Sequence, residues 1–161
     1  MPLYFLYIIY TGALWAALLA IVPRDKMRTY LVYGILFGGL ADAVILAIVD
    51  LLLGIGGFIN FGPLGFGKLP FFPPLAWSAF FAMYFYFLPS RWYLRYPYML
   101  TIIIGSVAFS NMLMNLGIFQ WKTGRLLTPL LVYTFWTIAV TWGYRRISQA
   151  NEGHRDYESF E

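Results

Sequence analysis

Apolar residues in this chain fall into five long runs, and polar residues gather in the short connections between them. The runs cover about residues 2–22, 29–53, 75–88, 97–119 and 127–144. At about 1.5 Å of rise per residue, the run from Thr29 to Leu53 makes a helix of roughly 37 Å, enough to cross a bilayer with some tilt. The pattern predicts an all-α fold: an integral membrane bundle of five transmembrane helices over residues 1–145. A polar cytoplasmic tail, expected to be disordered, follows over 146–161.

The first run lacks a basic start and is followed at once by Pro23-Arg24-Asp25-Lys26-Met27-Arg28. A cleaved signal has the opposite polarity, so a retained helix with its N-terminus outside is expected. Lys and Arg then distribute as the positive-inside rule requires. Arg24, Lys26, Arg28, Arg91, Arg95, Arg145, Arg146 and Arg155 fall inside, against Lys68, Lys122 and Arg125 outside. The C-terminus is cytoplasmic in this arrangement, and a multi-pass location in the cell membrane is expected.

Composition sharpens the class and narrows the chemistry. Hydrophobic residues make up 61% of the 161 residues and charged residues only 11%, far from the balance of a soluble domain. The net charge of +4 sits in turns and builds no basic face, which argues against a nucleic-acid partner. There is no cysteine, and the single histidine, His154, lies in the tail. Thiolate chemistry and an imidazole metal or haem site within the spans are therefore excluded, and no cofactor is expected.

The connection from Gly54 to Pro74 holds six Gly, four Pro and five Phe, with Lys68 as its only charge. It is too rich in glycine and proline for a helix and too apolar for a solvated loop. It is expected to lie in the outer interface or to fold back as a cap over the bundle.

Small residues suggest helix contacts. Gly34 and Gly38 form a GxxxG pair on the second run, and Gly12, Ala16 and Ala20 form a small-residue stripe on the first. Tyr4, Tyr7, Thr11 and Trp15 share another face of that first helix. A threonine stripe at Thr134, Thr137 and Thr141 on the last run reads as a packing face whose hydroxyls bond back to their own helix.

Two carboxylates interrupt the second run, Asp42 near its middle and Asp50 near its end. A charge at the centre of a membrane helix costs on the order of 3 kcal/mol, so Asp42 is expected to face the bundle interior and to find a partner. Asp42 and Asn111 each lie roughly 20 Å above the inner interface, counted from Thr29 and Pro97, and Asp50 and Asn115 at roughly 27 to 31 Å. If the second and fourth spans are neighbours, Asp42 meets Asn111, and Asp50 meets Asn115 or Lys68. Ser106 and Ser110 extend this set into a polar track. A protonated Asp42 bonded to Asn111 would pin two helices. An Asp42 open to the track would bind a proton or cation.

The turn Val22-Pro23-Arg24-Asp25-Lys26, the loop running into "LPFFPPLAW", "FLP" at Phe87 to Pro89 and the Tyr144-Arg145-Arg146 ending form a pattern. It resembles a group of small, uncharacterised polytopic membrane proteins of spore-forming bacteria. That resemblance implies the topology and no mechanism.

Three functions follow from these residues. The first is a non-enzymatic component, a homo-oligomer or a partner's subunit, acting through helix–helix contacts in the lipid bilayer. The second is a small proton- or cation-linked channel or carrier using Asp42. The third is a lipid-directed enzyme with Asp42 as its lone acid, disfavoured because the spans hold no His, Cys or Glu to complete a catalytic set. An aspartyl-protease dyad is excluded because Asp42 and Asp50 are about 12 Å apart along one helix and cannot share a proton.

Overall fold

The computed structural model describes residues 2–66 and 69–158, and the described residues are predominantly helical and form five helices. Helix α1 is Phe5–Ile21. Helix α2 runs unbroken through Arg24–Gly34, Ile35–Leu40, Ala41–Leu46 and Ala47–Leu52. Helices α3 (Phe72–Phe87), α4 (Trp92–Asn115) and α5 (Leu127–Glu158) complete the set. Four short strands, β1 (Gly56–Phe58), β2 (Gly65–Phe66), β3 (Leu69–Pro70) and β4 (Phe119–Trp121), form two small ribbons at one end.

The aromatic third helix is the hub. It packs against α1 and against most of α2, while α4 packs on α5. The second and fourth helices are therefore not the neighbours that the sequence arithmetic required. Glycine explains why α2 lies so close to α3. A Cβ on Gly34 would sit 2.8 Å from Ala82 Cβ, one on Gly38 would sit 2.8 Å from the Trp77 carbonyl carbon, and one on Gly39 would meet the Ser78 hydroxyl. Only residues without a Cβ permit that approach.

Four-residue spacing then divides α2 into two faces. Gly34, Gly38, Asp42 and Leu46 are buried, while Leu36, Leu40, Val44, Ile48 and Leu52 are exposed. The helix thus turns its one mid-span carboxylate inward and an unbroken aliphatic stripe outward. Its turns widen to i→i+5 bonding on both sides of the Asp42 turn, for example Leu53 N–H to the Ile48 carbonyl at 2.9 Å.

On α1 the two candidate stripes resolve oppositely. Tyr7, Thr11 and Leu18 are buried, whereas Gly12, Ala16 and Ala20 face outward, and a Cβ on Gly12 would meet nothing within 4 Å. The close contact suggested for Gly12 and Ala16 is thus not made within the described chain. The large Tyr7 side makes the internal contact because its hydroxyl has backbone partners to reach.

Some boundaries shift for local reasons. Pro73 and Pro74 occupy the first turn of α3, where a missing N–H costs nothing, so that helix begins before them. Pro97 lies inside α4, which starts at Trp92. Helix α4 ends early because Gly117 takes a positive φ of 74° and the chain turns into β4. Helix α5 continues past Tyr144 to Glu158, where a disordered tail was expected.

The basic turns share one end of the bundle. Ring contacts there join Tyr30 to Tyr86, Tyr33 to Tyr144, Phe85 to Tyr144 and Tyr84 to Tyr98. Arg95 holds the α3–α4 turn through Nη2 to the Ser90 carbonyl at 2.7 Å.

Candidate functional site

The glycine-rich connection folds back over the other end as a cap. Strand β1 pairs antiparallel with β4, Gly56 opposite Trp121 and Phe58 opposite Phe119. The Tyr7 hydroxyl rises from α1 to lie 2.7 Å from the Ile59 carbonyl oxygen and 2.6 Å from that of Ile118, so it pins both strands' ends. Asn60 Nδ2 adds a bond to the Gly117 carbonyl at 2.8 Å. Gly57 can lie on the Asp50 side chain because a Cβ there would come within 2.7 Å of Asp50 Cγ.

Two cavities lie below this ribbon. The larger, about 360 Å³, is bounded by α1, α3, α4 and α5, with Tyr10, Phe80, Ser106, Phe109 and Ser110 in its walls. Thr101 and Gly105 line it and are also exposed, so it opens sideways between α1 and α4. The smaller, about 30 Å³, is lined by Asp42, Trp121 and Trp136. Phe58, Trp77, Phe119 and Tyr133 line both, so the two spaces are divided only by side chains.

Polar groups at these walls are sparse and incompletely bonded. Ser110, 1% exposed, donates from Oγ to the Val107 carbonyl at 3.0 Å. Trp136 donates from Nε1 to the Phe37 carbonyl at 3.2 Å. Asp42 is 5% exposed, and its Oδ2 has no hydrogen-bond partner. Trp121 Nε1 is likewise buried without a partner. Both residues line the smaller cavity. Most buried polar groups are satisfied, so two orphans in one place are a feature to explain.

The polar track expected from the sequence is not assembled. Asp42, Ser106 and Ser110 reach the cavities, but Asn111 does not meet Asp42. Its Nδ2 donates instead to the Val107 carbonyl at 3.0 Å and the Arg125 carbonyl at 2.9 Å, while Trp77 of α3 and Tyr133 and Trp136 of α5 stand around Asp42. Asn115 is exposed and takes a long contact of 3.5 Å from Arg125 Nη1. Asp50 is half-buried against Gly57 and does not meet Asn115, and Lys68 lies outside the described residues. The threonine stripe behaves as packing: Thr141 donates to the Thr137 carbonyl at 2.6 Å and so accepts from the Tyr84 hydroxyl at 2.5 Å.

Sequence reasoning did not single out Tyr10, Trp121 or Tyr133. Nothing local marks them, since their role depends on the pairing of β1 with β4 and on the gap between α1 and α4. No protein-family model, no curated protein and no solved structure matches the chain.

Proposed function

We propose that the chain is a five-span integral membrane protein, N-terminus outside and C-terminus cytoplasmic. It works as a non-enzymatic component that holds an apolar molecule drawn from the bilayer. The stretch Arg24–Asp50 and the helix Trp92–Asn115 are long and apolar enough to cross a membrane by length and composition. The exposed Ile9 and Leu19 of α1 and Phe135, Ile138 and Trp142 of α5 support contact with lipid by other helices as well. Segregation of the basic turns to one end supports the orientation.

One observation carries the binding reading: a cavity of about 360 Å³, walled by aromatic side chains with a few polar groups, opening sideways between two helices. Ligand sites have this size and this composition. The test is to compare the molecules that co-purify with the wild type and with Gly105→Phe. Gly105 lines the cavity and is exposed, and a Cβ there meets nothing within 4 Å, so the mouth has room for a ring that would narrow it.

A second reading, contact with a partner helix in an oligomer, is supported by the outward turn of Gly12 and Ala16, which leaves a small-residue face unused by the chain itself. Cross-linking in native membranes tests it. Loss of a cross-linked species in Gly12→Ile supports the contact, and its persistence removes it. Ion passage draws less support, because Asp50, Asn111 and Asn115 do not join Asp42.

A further inference from the structure

Asp42 and Trp121 stand on different parts of the fold, one on α2 and one on β4, yet both line the 30 Å³ cavity, each with a buried polar atom lacking a partner. We propose that they form the head-group subsite of the larger cavity, and that the group it takes is a single hydroxyl on an otherwise apolar molecule. This rests on the reading of the larger cavity as a lipid-like binding site, and it names the class of ligand.

Size makes the first selection. The space is about 30 Å³ against about 360 Å³ for its neighbour, so it takes a small head group and leaves the apolar chain to the larger cavity. Chemistry makes the second. An indole N–H only donates, so the guest must offer a lone pair, which an ammonium lacks. The Asp42 carboxyl presents oxygen, which repels a carboxylate or a phosphate. A hydroxyl accepts from Trp121 Nε1 and donates to Asp42 Oδ2 at once, satisfying both orphans.

Position makes the third. The apolar chain of such a molecule lies in the larger cavity, and its end passes the rings that line both spaces. Phe58, Trp77, Phe119 and Tyr133 are those rings, each lining both spaces. The ribbon that carries Trp121 is anchored by Tyr7, so the subsite is held by the cap itself.

The experiment is a scintillation-proximity binding assay on the full chain in nanodiscs, with empty nanodiscs as background. The probes are tritiated 1-dodecanol and tritiated dodecyl methyl ether, which share the chain and differ in a methyl group in place of the hydroxyl proton. Wild type is expected to bind the alcohol about tenfold more tightly, as one or two net hydrogen bonds imply. Trp121→Phe and Asp42→Leu should each erase most of that preference while still binding both probes. Gly105→Phe should lose both. Equal binding of the probes by wild type, with both lost in Gly105→Phe, overturns the head-group subsite and leaves the cavity reading standing. An alcohol preference that survives in both Trp121→Phe and Asp42→Leu also overturns it. Binding of both probes undiminished by Gly105→Phe overturns the cavity reading itself.

Discussion

The hydroxyl of Tyr7 lies 2.6 Å from the carbonyl oxygen of Ile118, across 111 positions of chain. With the Ile59 carbonyl at 2.7 Å, this one side chain joins the first helix to both halves of the cap. Tyr7 is fully buried, so nothing replaces the hydroxyl if it is removed.

Tyr7→Phe is therefore expected to cost about 1–3 kcal/mol, the penalty of leaving buried groups unsatisfied. The loss should be local. Hydrogen exchange should speed up at Gly56–Phe58 and Phe119–Trp121 and stay unchanged in α3. Uniform acceleration would mean that Tyr7 supports the whole bundle and not the cap.

The contact of α2 with α3 depends on the absence of a Cβ. Gly38→Leu should destabilise the protein by about 1–3 kcal/mol through overpacking. Gly12→Leu, on the outward face of α1, should leave the unfolding midpoint nearly unchanged. Thermal unfolding of both variants in the same detergent provides the comparison, and equal effects would contradict the packing described.

Asp42 bears differently on stability. A carboxyl that bridged two helices would be costly to remove, but Asp42 Oδ2 has no partner. Replacing a buried polar group by an apolar one of similar size is often neutral or favourable when nothing is left unpaired. Asp42→Leu is expected to keep or raise the melting temperature. A fall of several degrees would show that the side chain holds a structural contact.

How much of this was legible in the sequence varies by element. The inner face of α2 could be read, because Gly34, Gly38 and Asp42 recur every four residues and a carboxylate cannot face lipid cheaply. The partner of Asp42 could not. Depth along a helix follows from counting, but which helices adjoin does not, and Trp77 of α3 with Tyr133 and Trp136 of α5 stand where Asn111 was expected. Small-residue stripes are equally ambiguous, since Gly34 and Gly12 look alike until a neighbour is seen to press on one of them. The ribbon was hidden most completely. Strands of three residues have no period to detect, and the pairing of Gly56 with Trp121 is a long-range contact with no local signature.

Orientation is directly testable because the chain has no native cysteine. Ser90→Cys, in the basic turn between α3 and α4, should react with an impermeant maleimide only when the cytoplasmic side is open. Thr123→Cys, beyond β4, should react in intact cells. The reverse pattern would invert the topology, and labelling of both positions in intact cells would contradict five spans.

The central claim is that the sideways cavity holds an apolar molecule. The most direct measurement is mass spectrometry of organic extracts from protein purified in a mild detergent, wild type beside Gly105→Phe, with fold checked by circular dichroism. The account predicts a molecule retained in fixed proportion to wild-type chain and depleted at least tenfold in the variant. Equal amounts in both, or only bulk lipid in membrane proportions, would contradict it.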